Sequence, residues 1–202
     1  VRYLNAILTN NIKDLPTGQG NVSLLLNPQG HILAEIETYA MEERIFAVSY
    51  AMIREKLKPT LEKFIIMDDV TLTDETEKYG TLALEGPKAA GIVEELADVK
   101  LETLPELGSR EIADALNLPS ACWVIRRSPG GVPGAEFLVE RGKLAEWWKV
   151  LEKAARAQGG GPAGYTALSA RRLELGAPWF GYDFDERQIP HEAGLQDTHI
   201  SY

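Results

Sequence analysis

Glu136 opens a strand-like run directly behind a glycine-rich turn, Gly130-Gly131-Val132-Pro133-Gly134. A side chain in that position can point into a cleft. Its carboxylate accepts two parallel hydrogen bonds, which matches a ring edge that presents adjacent N–H donors. A solvated glutamate at a strand end has the same surroundings in sequence. Arg172 opens Arg172-Leu173-Glu174-Leu175-Gly176, and its planar fork suits a carboxylate tail or a ring carbonyl. An ion pair with Glu174 or Asp185 is the competing reading.

Other chemistry-bearing residues point to less. Gly18-Gln19-Gly20 precedes a strand and lacks a third glycine, so no dinucleotide fingerprint is present. Gly159-Gly160-Gly161 has no Lys-Ser/Thr behind it, which excludes a phosphate loop. His31, His191 and His199 show no ligand spacing, and no metal is expected. Cys122 lies in the strand-like Ala121-Cys122-Trp123-Val124-Ile125 and reads as a buried thiol. The stretch from Ala170 to Leu195 is dense in glycine and proline yet holds Trp179, Phe180, Tyr182 and Phe184. It reads as an ordered loop packed over a site.

Composition narrows the partners. The chain has 202 residues and a formal net charge of −9, which disfavours nucleic acid as a main partner because phosphate binding needs a basic patch. A small anionic ligand needs only one or two cations, and the adjacent basic pairs are Arg126-Arg127 and Arg171-Arg172. One cysteine excludes an internal disulfide and fits a reducing, cytoplasmic setting. Neither a membrane span nor a signal peptide is visible, and both ends fall in mid-pattern, as in a fragment.

The elements that must position these residues alternate in two rounds. The first has a helix over 2–12, strands over 22–26 and 32–39 around the turn at Asn27-Pro28-Gln29-Gly30, and a strand over 45–49. A helix over 51–64, interrupted at Lys58-Pro59, and an extended stretch over 65–73 follow. On the second strand Ile32, Ala34 and Ile36 share one face while Leu33, Glu35 and Glu37 share the other. The second round has a strand over 81–85, a helix behind Gly86-Pro87, a short helix over 109–116, and strands over 123–127 and 135–140. Its clearest helix runs over 143–158, where Leu144, Trp147, Trp148, Leu151 and Ala155 form an apolar stripe. The pattern predicts an α+β fold built from split β-α-β units.

Several segments together resemble the YgfZ family of folate-binding proteins, relatives of the glycine-cleavage aminomethyltransferases. They are Leu8-Thr9-Asn10 before a Gly-Gln-Gly turn, Leu24-Leu25-Leu26-Asn27 with Gly30, and 64–70, together with Leu84 with Gly86-Pro87, Gly134 with Glu136-Phe137, and the long closing segment ending at Gly194-Leu195. The resemblance implies interleaved ferredoxin-like domains of the aminomethyltransferase folate-binding type around a tetrahydrofolate pocket. The β-barrel domain that normally follows lies outside this sequence. It divides the chain into a first subdomain over 1–80, a second over 81–164, and a closing segment over 165–202 that also contributes to the first.

By the same resemblance Glu136 meets the pterin, Arg172 and Leu168 line the pocket, and Glu35 and Asn27 complete the cofactor-binding set. No catalytic residue is assigned. The aminomethyltransferases carry an Asp-Asp pair where this chain has Ala34-Glu35, so a positioned acid–base group worth about 10²–10⁴ in rate is altered. The expected role is tetrahydrofolate binding in support of iron–sulfur cluster assembly or repair and of tRNA modification. Iron–sulfur proteins or their assembly factors are the expected partners. A folate-dependent aminomethyltransferase is the alternative. The cysteine motif that the YgfZ family places just behind the equivalent of Tyr202 is not within this sequence.

Overall fold

A computed structural model describes residues 1–66, 69–113, 118–128 and 130–202. Along the chain run α1 (Arg2–Ile7), β1 (Gly20–Leu26), β2 (Ile32–Ala40), β3 (Ile45–Ser49) and α2 (Arg54–Lys63). Then come β4 (Tyr79–Glu85), α3 (Ala89–Ala97), β5 (Ser109–Ile112), β6 (Cys122–Ile125) and β7 (Gly134–Glu140). Three helices close the chain: α4 (Leu144–Ala157), α5 (Tyr165–Glu174) and α6 (Gln196–His199). Two units form, one from Val1–Asp74 with Pro178–Tyr202 and the other from Glu75–Ala177.

The first unit holds an antiparallel meander in the order β1-β2-β3. The alternation expected on β2 is observed: Ile32, Ala34 and Ile36 are buried, and Leu33, Glu35 and Glu37 are partly exposed. The buried set packs with Leu24, Leu25, Ile53, Phe180 and Phe184. Phe180 and Phe184 meet edge to face at 5.6 Å, so half of the aromatic residues in the long closing segment are core. That explains why the segment is ordered despite its glycines.

The second unit is a four-stranded antiparallel sheet in the order β4-β7-β6-β5. The α3 crossover carries the chain from one edge to the other, and β6 and β7 fill the space between, which makes a split β-α-β unit. One sheet face presents Cys122, Val124, Ala135, Phe137 and Val139 to Ile92 and Val93 of α3 and to Trp147 and Leu151 of α4. Cys122 is 1% exposed, and burial pushes its thiol up to about 12, so the thiolate needed for reactivity is negligible near neutrality. The α+β architecture expected from the alternation of elements is the one found.

Four details differ from the sequence reading. The first helix ends at Ile7 because Leu8 turns extended and bridges to Leu25, and Asn5 caps the following turn by accepting the backbone N–H groups of Ile12 and Lys13. Pro59 does not interrupt α2. It is the sixth of the helix's ten residues, the residue whose carbonyl its missing N–H would have met, Glu55, is exposed to water, and the next carbonyl, that of Lys56, accepts the Thr60 hydroxyl at 2.7 Å. Residues 109–112 form strand β5 instead of a helix, because their register with β6 carries Ile112 opposite Cys122 and into the core; the rest of the expected helix includes 114–117, outside the described residues. The closing segment is not all loop. Residues 165–174 are helical, and the turn comes only where Gly176 (φ 66°) takes the left-handed conformation that ends a helix. Of the stretch expected to be extended over 65–73, residues 67 and 68 lie outside the described residues.

Candidate functional site

The second unit's sheet has a face turned away from α3 and α4, and the charged residues gather at one end of it. Ile125 and Ala83 pair with Glu136 from either side, and Gly134 pairs with Glu85. Two residues beyond Ile125, Arg127 returns to the same face by the period of two. Register therefore places Arg127, Glu136 and Glu85 on three adjacent strand lines. Arg127 Nη1 donates to Glu136 Oε1 at 2.8 Å, with side chains only 26% and 15% exposed. Such a charge-assisted bond fixes the carboxylate's orientation as well as its place.

Glu85 is held differently. The Gly130 N–H donates to both its oxygens, at 2.9 and 3.2 Å, and the Ser128 hydroxyl lies at 3.5 Å. A β-carbon on Gly130 would collide with this carboxylate, so glycine is what lets the backbone come so close. Ser128 also donates to the carbonyl of Val132, which closes the turn on itself. Burial raises the Glu85 carboxyl above its ordinary value of 4.5, against the opposing pull of the Gly130 and Ser128 bonds and the Arg127 charge. A carboxyl raised on folding adds stability that is complete below 4.5 and lost as pH rises through its folded value. Glu85→Gln should therefore raise the melting temperature near neutral pH and leave it unchanged in acid. A melting series across pH checks this, and an equal gain at every pH would refute the assignment.

Helix α5 supplies the apolar side. Leu168 packs beside Gly130, and Arg172, four residues on and so on the same helix face, is buried. Arg172 Nη1 donates to the carbonyl of Ala177 at 3.4 Å, at the helix's C-terminal end. Glu174 pairs with Arg171 at 3.0 Å and Asp185 with Arg187 at 2.8 Å.

Glu136 and Leu168 thus share one region of the second unit, with Arg172 on the same stripe of α5. Asn27 and Glu35 belong to the first unit. Asn27 is committed to the hairpin turn, where its Oδ1 accepts the N–H groups of Gln29 and His31 at 2.9 Å each. Glu35 Oε1 lies 3.0 Å from Nε2 of His199. Sequence reasoning missed Arg127, Glu85 and His199 as partners, since each pairing depends on strand register or on a contact far along the chain. Among the described residues no group of three or more His, Cys, Asp or Glu side chains could hold a metal ion. No helix among them is long and apolar enough to cross a membrane.

Comparison with known proteins bears on this arrangement. An aminomethyltransferase of a Nostoc species is 28% identical over 201 residues, covering 96% of this chain and 52% of the relative. The aminomethyltransferase of Thermotoga maritima is 28% identical over 202 residues, covering 96% and 53%. The chain spans about half the length of the curated relatives it matches. Among solved structures, the glycine cleavage system aminomethyltransferase T of Bartonella henselae superposes with a TM-score of 0.81 at 24% identity, over 97% of this chain and 51% of that one, and so shares its fold. The model for the GCVT N-terminal domain matches residues 1–199. With the match running through all but the last three residues, the chain belongs to the GCVT N-terminal domain family.

Proposed function

We propose that this chain binds a reduced folate and forms the folate-binding part of an aminomethyltransferase-type protein. The carrying observation is the Glu136 carboxylate, oriented by Arg127 on the sheet face, with Glu85 on the adjacent strand and Leu168 beside the Gly130 turn that Glu85 bonds. A carboxylate, a guanidinium and an apolar wall fit a pterin, whose amino-pyrimidine edge offers adjacent N–H donors and whose ring faces are apolar. Glu136 would take that edge, Leu168 would lie along the ring, and Arg172 would complete the wall from α5. Tetrahydrofolate, when bound, supplies the amine nitrogens that carry a one-carbon unit; the residues named bind and orient it.

The test is calorimetric titration of the protein with tetrahydrofolate. Glu136→Gln keeps the side chain's volume but removes an ionic acceptor worth about 1.5–3 kcal/mol, so affinity should fall roughly 10- to 100-fold. Unchanged affinity would remove Glu136 from the site.

A second reading is favoured by one observation. Ala34, which by the resemblance stands where the aminomethyltransferases carry an aspartate, is 0% exposed and built into the core. That loss suits a YgfZ-type protein that binds folate without transferring a carbon unit, works in the cytoplasm, and supports iron–sulfur cluster assembly and tRNA modification. Folate binding without methylene transfer from an aminomethylated lipoyl carrier would select this reading.

A further inference from the structure

Thr198, His199 and Glu35 form a continuous hydrogen-bonded line in the first unit. Thr198 is exposed, and its Oγ1 lies 2.6 Å from Nδ1 of His199. His199 is buried, and its Nε2 lies 3.0 Å from Glu35 Oε1, with side chains 10% and 15% exposed. The second carboxylate oxygen, Oε2, is buried and has no hydrogen-bond partner among the described residues. Contacts with Thr9 anchor the main chain of His199. Thr9 Oγ1 donates to the carbonyl of His199 at 2.6 Å and accepts the N–H of Leu24 at 2.8 Å, while Ser201 N–H donates to the carbonyl of Thr9 at 3.0 Å.

We propose that Thr198 and His199 are a proton relay between surface water and the Glu35 carboxylate. The line is satisfied with the imidazole in either protonation state, which is what a relay requires. With a neutral ring, Nε2–H donates to the ionised Glu35 and Nδ1 accepts the Thr198 hydroxyl. With a charged ring, Nδ1–H donates to Thr198 Oγ1, whose own proton turns to the carbonyl of Leu195 at 3.4 Å. One passage moves one proton. Nδ1 gains it from the Thr198 hydroxyl, Nε2 gives its proton to Glu35 Oε1, a hydronium ion in the surface water reprotonates the Thr198 oxygen and leaves as water, and the ring ends as the neutral Nδ1–H tautomer, which the reverse passage resets. Nothing is oxidised or reduced. The product is a carboxylic acid on β2, facing away from the Ile32, Ala34 and Ile36 core.

The relay lies wholly within the first unit and does not rest on the folate reading. Thr198 and His199 are positioning residues, since neither is assigned a contact with the ligand.

Nitrogen NMR of the His199 ring in the complete, unliganded protein tests the relay directly. Glu35→Gln should shift the Nε2 resonance, and Thr198→Val should shift Nδ1, whereas Thr198→Ser, which keeps the hydroxyl, should match the parent. Exchange of the Nε2 proton with water should slow about 100-fold in Thr198→Val, in line with the contribution of a positioned proton-transfer group. Ring resonances that ignore both substitutions, or exchange that ignores Thr198→Val, overturn the relay. Tetrahydrofolate titration of the same proteins separates the two readings. If the parent fails to bind while the NMR signature is present, the folate reading falls and the relay stands. Binding with no signature gives the reverse.

Discussion

Replacing Trp147 with alanine is expected to lower the unfolding free energy of the second unit by about 4 kcal/mol, roughly a thousandfold in its folding equilibrium. The indole is 0% exposed and lies 5.5 Å from the ring of Phe137, so its removal opens a cavity between α4 and the sheet. Its Nε1–H donates to the Ser120 hydroxyl at 3.1 Å, and that hydroxyl loses its partner as well. Trp147→Phe restores most of the volume but not the bond, so it should fall between parent and alanine. Trp148 is the internal control. It is 43% exposed and bonds Glu152 on its own helix, so Trp148→Ala should stay within about 0.5 kcal/mol. Urea denaturation followed by circular dichroism measures all three. Equal losses at 147 and 148 would show that α4 does not bury the face described here.

The two tryptophans also show what sequence alone can and cannot resolve. Leu144, Trp147, Leu151 and Ala155 recur at helical spacing and do pack against the core. Trp148 falls within the same apolar stretch of sequence, yet it sits about 100° further round the helix, on the solvent side. Long periodic elements were legible because many residues vote on one face. Residues 109–112 were not, since four residues carry no period and only the register with β6 makes them a strand. Helix α5 was hidden by the glycines and prolines that follow it, although Ala167, Leu168, Ala170 and the two arginines are good helix formers.

The candidate site divides along the same line. Glu136 was legible because a carboxylate behind a glycine-rich turn is a local pattern. Arg127 was visible only as half of a basic pair. Its role follows from which strand lies beside which, and that information is not local. The contact between His199 and Glu35 spans 164 residues of chain, and no spacing rule reaches that far.

Arg127 is where the site's chemistry and the unit's stability meet. It bonds Glu136 directly and lowers the carboxyl of Glu85 through its charge, so a single cation serves two partly buried carboxylates. Arg127→Met keeps the aliphatic body and removes the charge. Breaking a buried pair costs about 3–5 kcal/mol, and the partial exposure here brings the expected loss near neutral pH to about 2–3 kcal/mol. The pH dependence has a definite sign. Without the cation the Glu85 carboxyl rises further, so it takes up a proton sooner as pH falls and sheds the unfavourable charge. The deficit should shrink on the acid side and be largest near neutrality. Adding Glu136→Gln to Arg127→Met should restore part of the loss, because the second change removes the partly buried charge whose bond to Arg127 the first had broken. A double-mutant cycle read by urea denaturation at neutral and acidic pH measures this coupling. Additive losses, or a deficit that does not change with pH, would mean that Arg127 contributes packing alone and that the carboxylates are oriented by something else. If the coupling is found, tetrahydrofolate affinity should fall in Arg127→Met even though Arg127 is assigned no contact with the ring, because the Glu136 carboxylate would no longer be held in one orientation.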